Sequence, residues 1–106
     1  MIHEHLDFPF AMTVNIVLVD TSLEKAATEF WLGTHTRGNK GLKDERKGPW
    51  IAEEHLDARR KISPPIQPSI SKGSVIIRDF RLWHAGMPNQ TSEPRIMLAL
   101  VRFMLL

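Results

Sequence analysis

From Phe10 to Val19 the chain reads Phe-Ala-Met-Thr-Val-Asn-Ile-Val-Leu-Val, an apolar and β-branched run bounded by Pro9 and Asp20. Such a run predicts a buried strand, with Asn15 as its polar interruption. Thr28 to Leu32 predicts a second strand, stopped by Gly33. Between Thr36 and Gly48 the pattern turns polar and glycine-rich, which is the signature of a surface loop. Pro49, the acidic Glu53 and Glu54, and the basic Arg59, Arg60 and Lys61 then follow in the order a helix macrodipole favours. Ile51, His55, Ala58 and Ile62 recur at helical spacing, so one short helix is expected from Pro49. Ser63-Pro64-Pro65 ends it, because proline disfavours the α conformation in the residue before it.

The rest of the pattern is again β: Ile66 to Ile70 interrupted by Pro68, a turn at Lys72-Gly73, a strand from Ser74 to Arg78, and a last strand from Arg95 to Met104. The segment from Phe80 to Pro94 is strand-like up to His84 and turn chemistry in its second half. Roughly five short strands with one short helix predict an all-β fold, a sandwich or barrel fragment.

Composition narrows the function classes. A length of 106 residues provides for one domain, residues 1–106. Lys and Arg number 14 against 12 Asp and Glu, and a net charge of +2 gives no electrostatic mandate for nucleic acid or a membrane surface. At 42% hydrophobic and 25% charged, the composition is that of a soluble globular domain. The absence of cysteine excludes disulfides, thiolate-ligated metals and thiol nucleophiles, so any metal must use His, Asp or Glu. The longest apolar run, Ile96 to Val101, falls far short of the roughly 20 residues of a membrane helix. The amino-terminal residues lack the basic start and apolar stretch of a signal peptide. A cytoplasmic protein without a nucleic-acid or membrane partner is the expectation.

His84 closes a strand-like stretch and Arg95 opens the next strand, eleven residues later. A chain that reverses between them brings the two together on neighbouring strands. If Arg95 points inward, Met97, Ala99, Val101 and Phe103 do so too, because alternate side chains of a strand share a face. A guanidinium placed there needs an anion, and its planar fork suits a carboxylate held beside a metal-ligating imidazole.

These residues, with Val14 to Asp20, Ala27 to His35, Lys72 to Asp79, Leu82-Trp83-His84-Ala85-Gly86-Met87-Pro88-Asn89 and Arg95 to Ala99, carry a resemblance. The chain resembles the phytanoyl-CoA dioxygenase family of non-haem Fe(II), 2-oxoglutarate-dependent oxygenases, and its fungal members most. The resemblance implies a double-stranded β-helix (jelly-roll) fold, of which this chain would be a fragment from the carboxy-terminal part. It implies hydroxylation of a small organic substrate, a secondary metabolite or an acyl-CoA-like molecule, using molecular oxygen and releasing succinate and CO2.

By the same resemblance His84 would be an iron ligand, Arg95 would clamp the distal carboxylate of 2-oxoglutarate, and Asn15 would line the cosubstrate pocket. Relatives often place a hydroxyl where this chain has Gly86. The other two ligands come from a His-x-Asp motif, whose spacing turns both side chains to one side of a strand. His5-Leu6-Asp7 satisfies it literally, giving His5 and Asp7 as ligands. An alternative register places His3 in the histidine slot and His5, not an acid, in the carboxylate slot. Family members are usually more than twice as long, so a truncated, non-catalytic remnant without iron is the competing expectation. Exposed strand edges would also leave room for a homo-oligomer.

Overall fold

The computed structural model describes residues 11–36 and 50–103. Their elements run β1 (Ala11–Val17), β2 (Glu29–Trp31), α1 (Glu53–Ile62), β3 (Val75–Asp79), β4 (Trp83–Ala85) and β5 (Met97–Phe103). Two antiparallel sheets form, one in the order β3-β1-β5 and one pairing β2 with β4. Among the described residues the architecture is the expected all-β one with one short helix. No helix among the described residues is long and apolar enough to cross a membrane.

Strand β1 is central because both its edges are paired. Its alternation is complete: Ala11, Thr13, Asn15 and Val17 are buried, whereas Met12, Val14 and Ile16 are half-buried. Asn15 lies opposite Ile76 on one side and Ala99 on the other, and Thr13 lies opposite Arg78 and Val101. Residues directly opposite in an antiparallel ladder project to the same face. The inner face therefore gathers Thr13, Asn15, Val17, Ile76, Arg78, Met97, Ala99 and Val101. On the outer face Val75, Ile77, Leu98 and Leu100 are exposed, as are Val101 and Phe103 at the far end of β5.

The second cluster of buried side chains is built on the smaller sheet. Phe30, Trp31 and Trp83 are buried with Ala26 and Ala27, and the rings of Trp31 and Trp83 meet at 6.1 Å between centroids, tilted by 57°. Thr34, fully buried, ties this cluster together: its hydroxyl donates to the Trp31 carbonyl at 2.6 Å and accepts from the Trp83 amide at 2.8 Å.

Helix α1 starts at Glu53, four positions beyond Pro49, where the helix was expected to begin, with Ala52 at the N-cap in an extended conformation and no side-chain cap. Pro49 lies outside the described residues. No residue of α1 is buried, so polar and cationic contacts dock it. Arg59 donates to the Leu32 carbonyl at 2.7 Å, and the Arg60 guanidinium lies 5.2 Å from the Trp31 ring centroid. Gly33 makes the approach feasible. It has a φ of +81°, and a Cβ there would collide with the Arg59 guanidinium.

Two other expectations need correction. Ile66 to Ile70 forms no strand; Ile66 and Ile70 make only isolated bridges, to Phe30 and Thr21. Pro68 lacks the amide a ladder requires, so the chain touches β2 through Ile66 and the segment after β1 through Ile70, and moves on. In addition, β4 and β5 are not neighbours: they belong to different sheets. The chain crosses from one sheet to the other between Ala85 and Met97, which decides where His84 and Arg95 can meet.

Candidate functional site

The crossing opens a cleft of about 280 Å3 between the two sheets, lined by Asn15, Thr28, Arg78, His84, Gly86, Arg95 and Met97. Each wall residue has a structural reason to be there. Asn15 is on the inner face of β1, and Arg78 on the inner face of β3 opposite Thr13. Met97 opens β5 opposite Val17. His84 pairs with Phe30 across β2 and β4. Because Trp83 is held by Thr34 and packed on Trp31, strand alternation turns His84 away from that cluster.

The corner between β3 and β4 is fixed by Asp79. Its carboxylate accepts from the Arg81 amide at 2.9 Å and from Nε and Nη2 of the same residue at 2.9 and 2.8 Å. This forked, charge-assisted contact sets the turn that separates Arg78 from His84. Burial alone raises the Asp79 pKa, but it is outweighed by the Arg81 side-chain and backbone hydrogen bonds and charge, with His35 adding to them. The net pKa lies below the ordinary aspartate value.

At the cleft, His84 Nδ1 lies 3.0 Å from the Leu82 carbonyl oxygen and 3.3 Å from Arg78 Nη1. A carbonyl can only accept, so the shorter contact makes Nδ1 the protonated nitrogen and leaves the lone pair on Nε2. Metal-ligating histidines use this form, with the remaining ring N–H donated to a carbonyl or carboxylate. Loss of hydration lowers the His84 pKa; the Leu82 contact raises it, and the Arg78 charge lowers it further, for a net shift below the usual imidazole value. The ring is therefore neutral near pH 7. Desolvation also lowers the Arg78 pKa, though a guanidinium stays cationic throughout the physiological range.

In the same cleft, half-buried Arg95 donates from Nη1 to the Thr28 hydroxyl at 3.3 Å. The cleft thus holds one neutral imidazole, two guanidiniums, a carboxamide and a hydroxyl, an arrangement that receives anions. Its donor set fits a small carboxylate, and the tautomer of His84 fits a metal. Among the described residues no group of three or more His, Cys, Asp or Glu can hold a metal ion, so a metal here requires ligands beyond them. His5 and Asp7 lie outside the described residues. The structure therefore brings together His84, Arg95 and Asn15, and leaves the His5 and Asp7 assignment open.

Arg78 and Thr28 were not singled out from sequence. Arg78 closes the expected strand from Ser74, and nothing in its local sequence assigns its side chain a direction. The available signal was its parity with Ile76, which becomes informative only once Ile76 is known to lie opposite Asn15. Gly86 lines the cleft with open space where a Cβ would stand.

Among solved structures, the chain is similar to EctD from S. alaskensis, determined with bound Fe, at 19% sequence identity and a TM-score of 0.69. That similarity covers 92% of this chain and 33% of EctD, so the chain spans about a third of the length of this relative. At this identity the likeness establishes the jelly-roll fold. The family model for phytanoyl-CoA dioxygenase (PhyH) matches residues 2–97, taking in both walls of the cleft, and by that match the chain belongs to the phytanoyl-CoA dioxygenase family.

Proposed function

We propose that the chain works as a non-haem Fe(II)- and 2-oxoglutarate-dependent dioxygenase that hydroxylates a small organic substrate. The observation that carries this reading is that His84 on β4 and Arg95, just before β5, line the same cleft together with Asn15 of β1. In overall balance, one atom of molecular oxygen enters the substrate as a hydroxyl and the other enters succinate, while 2-oxoglutarate loses CO2. Bound iron supplies the redox chemistry that activates oxygen.

The chain's own groups bind and orient. His84 offers the Nε2 lone pair to the metal, and the Leu82 carbonyl holds the ring in that tautomer. Two histidines and one carboxylate on one face of the metal leave positions for cosubstrate and oxygen; His5 and Asp7 are the residues we assign to complete the set. Arg95 receives the distal carboxylate of 2-oxoglutarate, with its guanidinium steadied by the Thr28 hydroxyl. The Asn15 carboxamide lines the same cleft and donates to the cosubstrate. Met97 supplies an apolar wall.

Succinate formation from 2-oxoglutarate, measured by NMR with the full chain, Fe(II) and air, tests the reading. The expected result is slow turnover without a primary substrate, reduced at least about a hundredfold by His84→Ala, an effect of the size expected for loss of a positioned catalytic group. Succinate formation that is absent from the wild type, or equal in His84→Ala, would refute it.

A further inference from the structure

Arg95 has a role in the reading above, but Arg78 has none, and it is the less satisfied of the two. Its Nε is buried without a hydrogen-bond partner among the described residues, and its Nη1 lies against a ring nitrogen already engaged by Leu82. Across the ladder, the Thr13 hydroxyl on the same inner face is also buried without a partner. Among the described residues neither Arg78 nor Arg95 forms an ion pair; the acidic side chains that do form them pair with Lys25, His55, Arg60 and Arg81. One cleft therefore carries two guanidinium charges with no counter-charge from the described walls. Both residues are half-buried, and a guanidinium with a buried, unpartnered Nε such as that of Arg78 is stabilised when an anion meets it.

We propose that Arg78 is a second anion-recognition residue, so that the cleft receives two carboxylate-class groups at once, one at Arg95 and one at Arg78 beside His84. The proposal rests on the reading of Arg95 as a carboxylate clamp and adds a requirement on the ligand. A planar fork with a free Nε edge favours a carboxylate over a neutral carbonyl. Two sources supply the same chemistry: the two ends of a single short dicarboxylate, the cosubstrate itself, or the cosubstrate at Arg95 and an acidic group of the primary substrate at Arg78. Either one makes a neutral, single-anion ligand set a poor fit.

Calorimetric titration of the metal-free full chain separates these outcomes, using glutarate as the dicarboxylate and butyrate as the monocarboxylate. If both guanidiniums grip one molecule, glutarate binds more tightly than butyrate, and Arg78→Gln weakens glutarate by about 10- to 100-fold, as expected for a lost charge-assisted contact. Arg78→Lys then recovers part of that loss, which a collapsed fold would not. If the second anion comes from a separate molecule, glutarate affinity is unchanged in Arg78→Gln, but butyrate titrated onto glutarate-saturated protein binds to the wild type and not to the variant. Either pattern supports the proposal. Glutarate binding and butyrate-on-glutarate binding that are both indifferent to Arg78 would overturn it. Because no metal or turnover is involved, failure here is distinct from failure to produce succinate.

Discussion

Nη1 of Arg78 stands 3.3 Å from Nδ1 of His84, the same ring nitrogen that lies 3.0 Å from the Leu82 carbonyl oxygen. A single nitrogen cannot donate to the carbonyl and accept from the guanidinium in the same tautomer. The Nδ1–H donates to the carbonyl, so the guanidinium contributes charge beside the ring without a hydrogen bond to it. Two-bond proton–nitrogen spectra of the 15N-labelled protein near neutral pH should show His84 with a protonated Nδ1 and an unprotonated Nε2. The reverse assignment would make Arg78 the donor and remove the lone pair required for a metal.

Gly86 lines the cleft, and a Cβ built there meets nothing within 4 Å. Relatives often carry a hydroxyl at this place, which predicts that Gly86→Ser is accommodated without loss of stability. A hydroxyl facing the cosubstrate adds one hydrogen bond, of about 0.5–1.5 kcal/mol. The expected outcome is a several-fold tighter fit of 2-oxoglutarate by calorimetry with an unchanged melting temperature. Weaker binding would place the cosubstrate away from this wall.

Thr34 is completely buried and joins the Trp31 carbonyl to the Trp83 amide. Thr34→Val keeps the shape but leaves that amide without an acceptor, at a cost of about 1–3 kcal/mol. For a chain of this size each kcal/mol shifts the melting temperature by roughly 4–8 °C. Thr34→Ser should restore most of the loss. Thermal unfolding of the two variants checks this, and because Trp83 adjoins His84, the valine variant should also bind metal more weakly.

Asp79 couples stability to acid. Its folded pKa lies below the ordinary aspartate value, so the folded protein releases this proton more readily than the unfolded chain does. The stabilisation is complete above the unfolded value of about 4 and is lost as pH falls through the folded value. Asp79→Asn should cost about 1–3 kcal/mol at pH 7, the scale of a charge-assisted contact, and flatten the decline in stability towards pH 3. Denaturant unfolding at stepped pH measures both, and an unchanged acid limb in the variant would assign the decline to other carboxylates.

The strands around Asn15, Ile76 and Ala99 were legible from their β-branched and apolar runs, because a paired strand buried on one face imposes that composition locally. The run from Ile66 to Ile70 carried the same apolar signal but became two isolated bridges, since the effect of Pro68 on the ladder depends on which edge faces it. The helix was legible from charge order, yet its start moved to Glu53, for the docking contacts of Arg59 and Arg60 come from residues distant in sequence. For the site, the offset between His84 and Arg95 anticipated that the two would share a cleft but not the route between them: β4 and β5 belong to different sheets and are not neighbours. Arg78 was hidden because its direction depends on register with Thr13, a non-local fact.

His84 and Arg95 share one cleft, and the proposed chemistry requires both. Anaerobic addition of Fe(II) and 2-oxoglutarate to the full chain, followed by visible difference spectroscopy, tests this shared site. A weak charge-transfer band is expected in the wild type, absent from His84→Ala and from Arg95→Leu at the same ligand concentrations. No band in the wild type, or the same band in either variant, would contradict it.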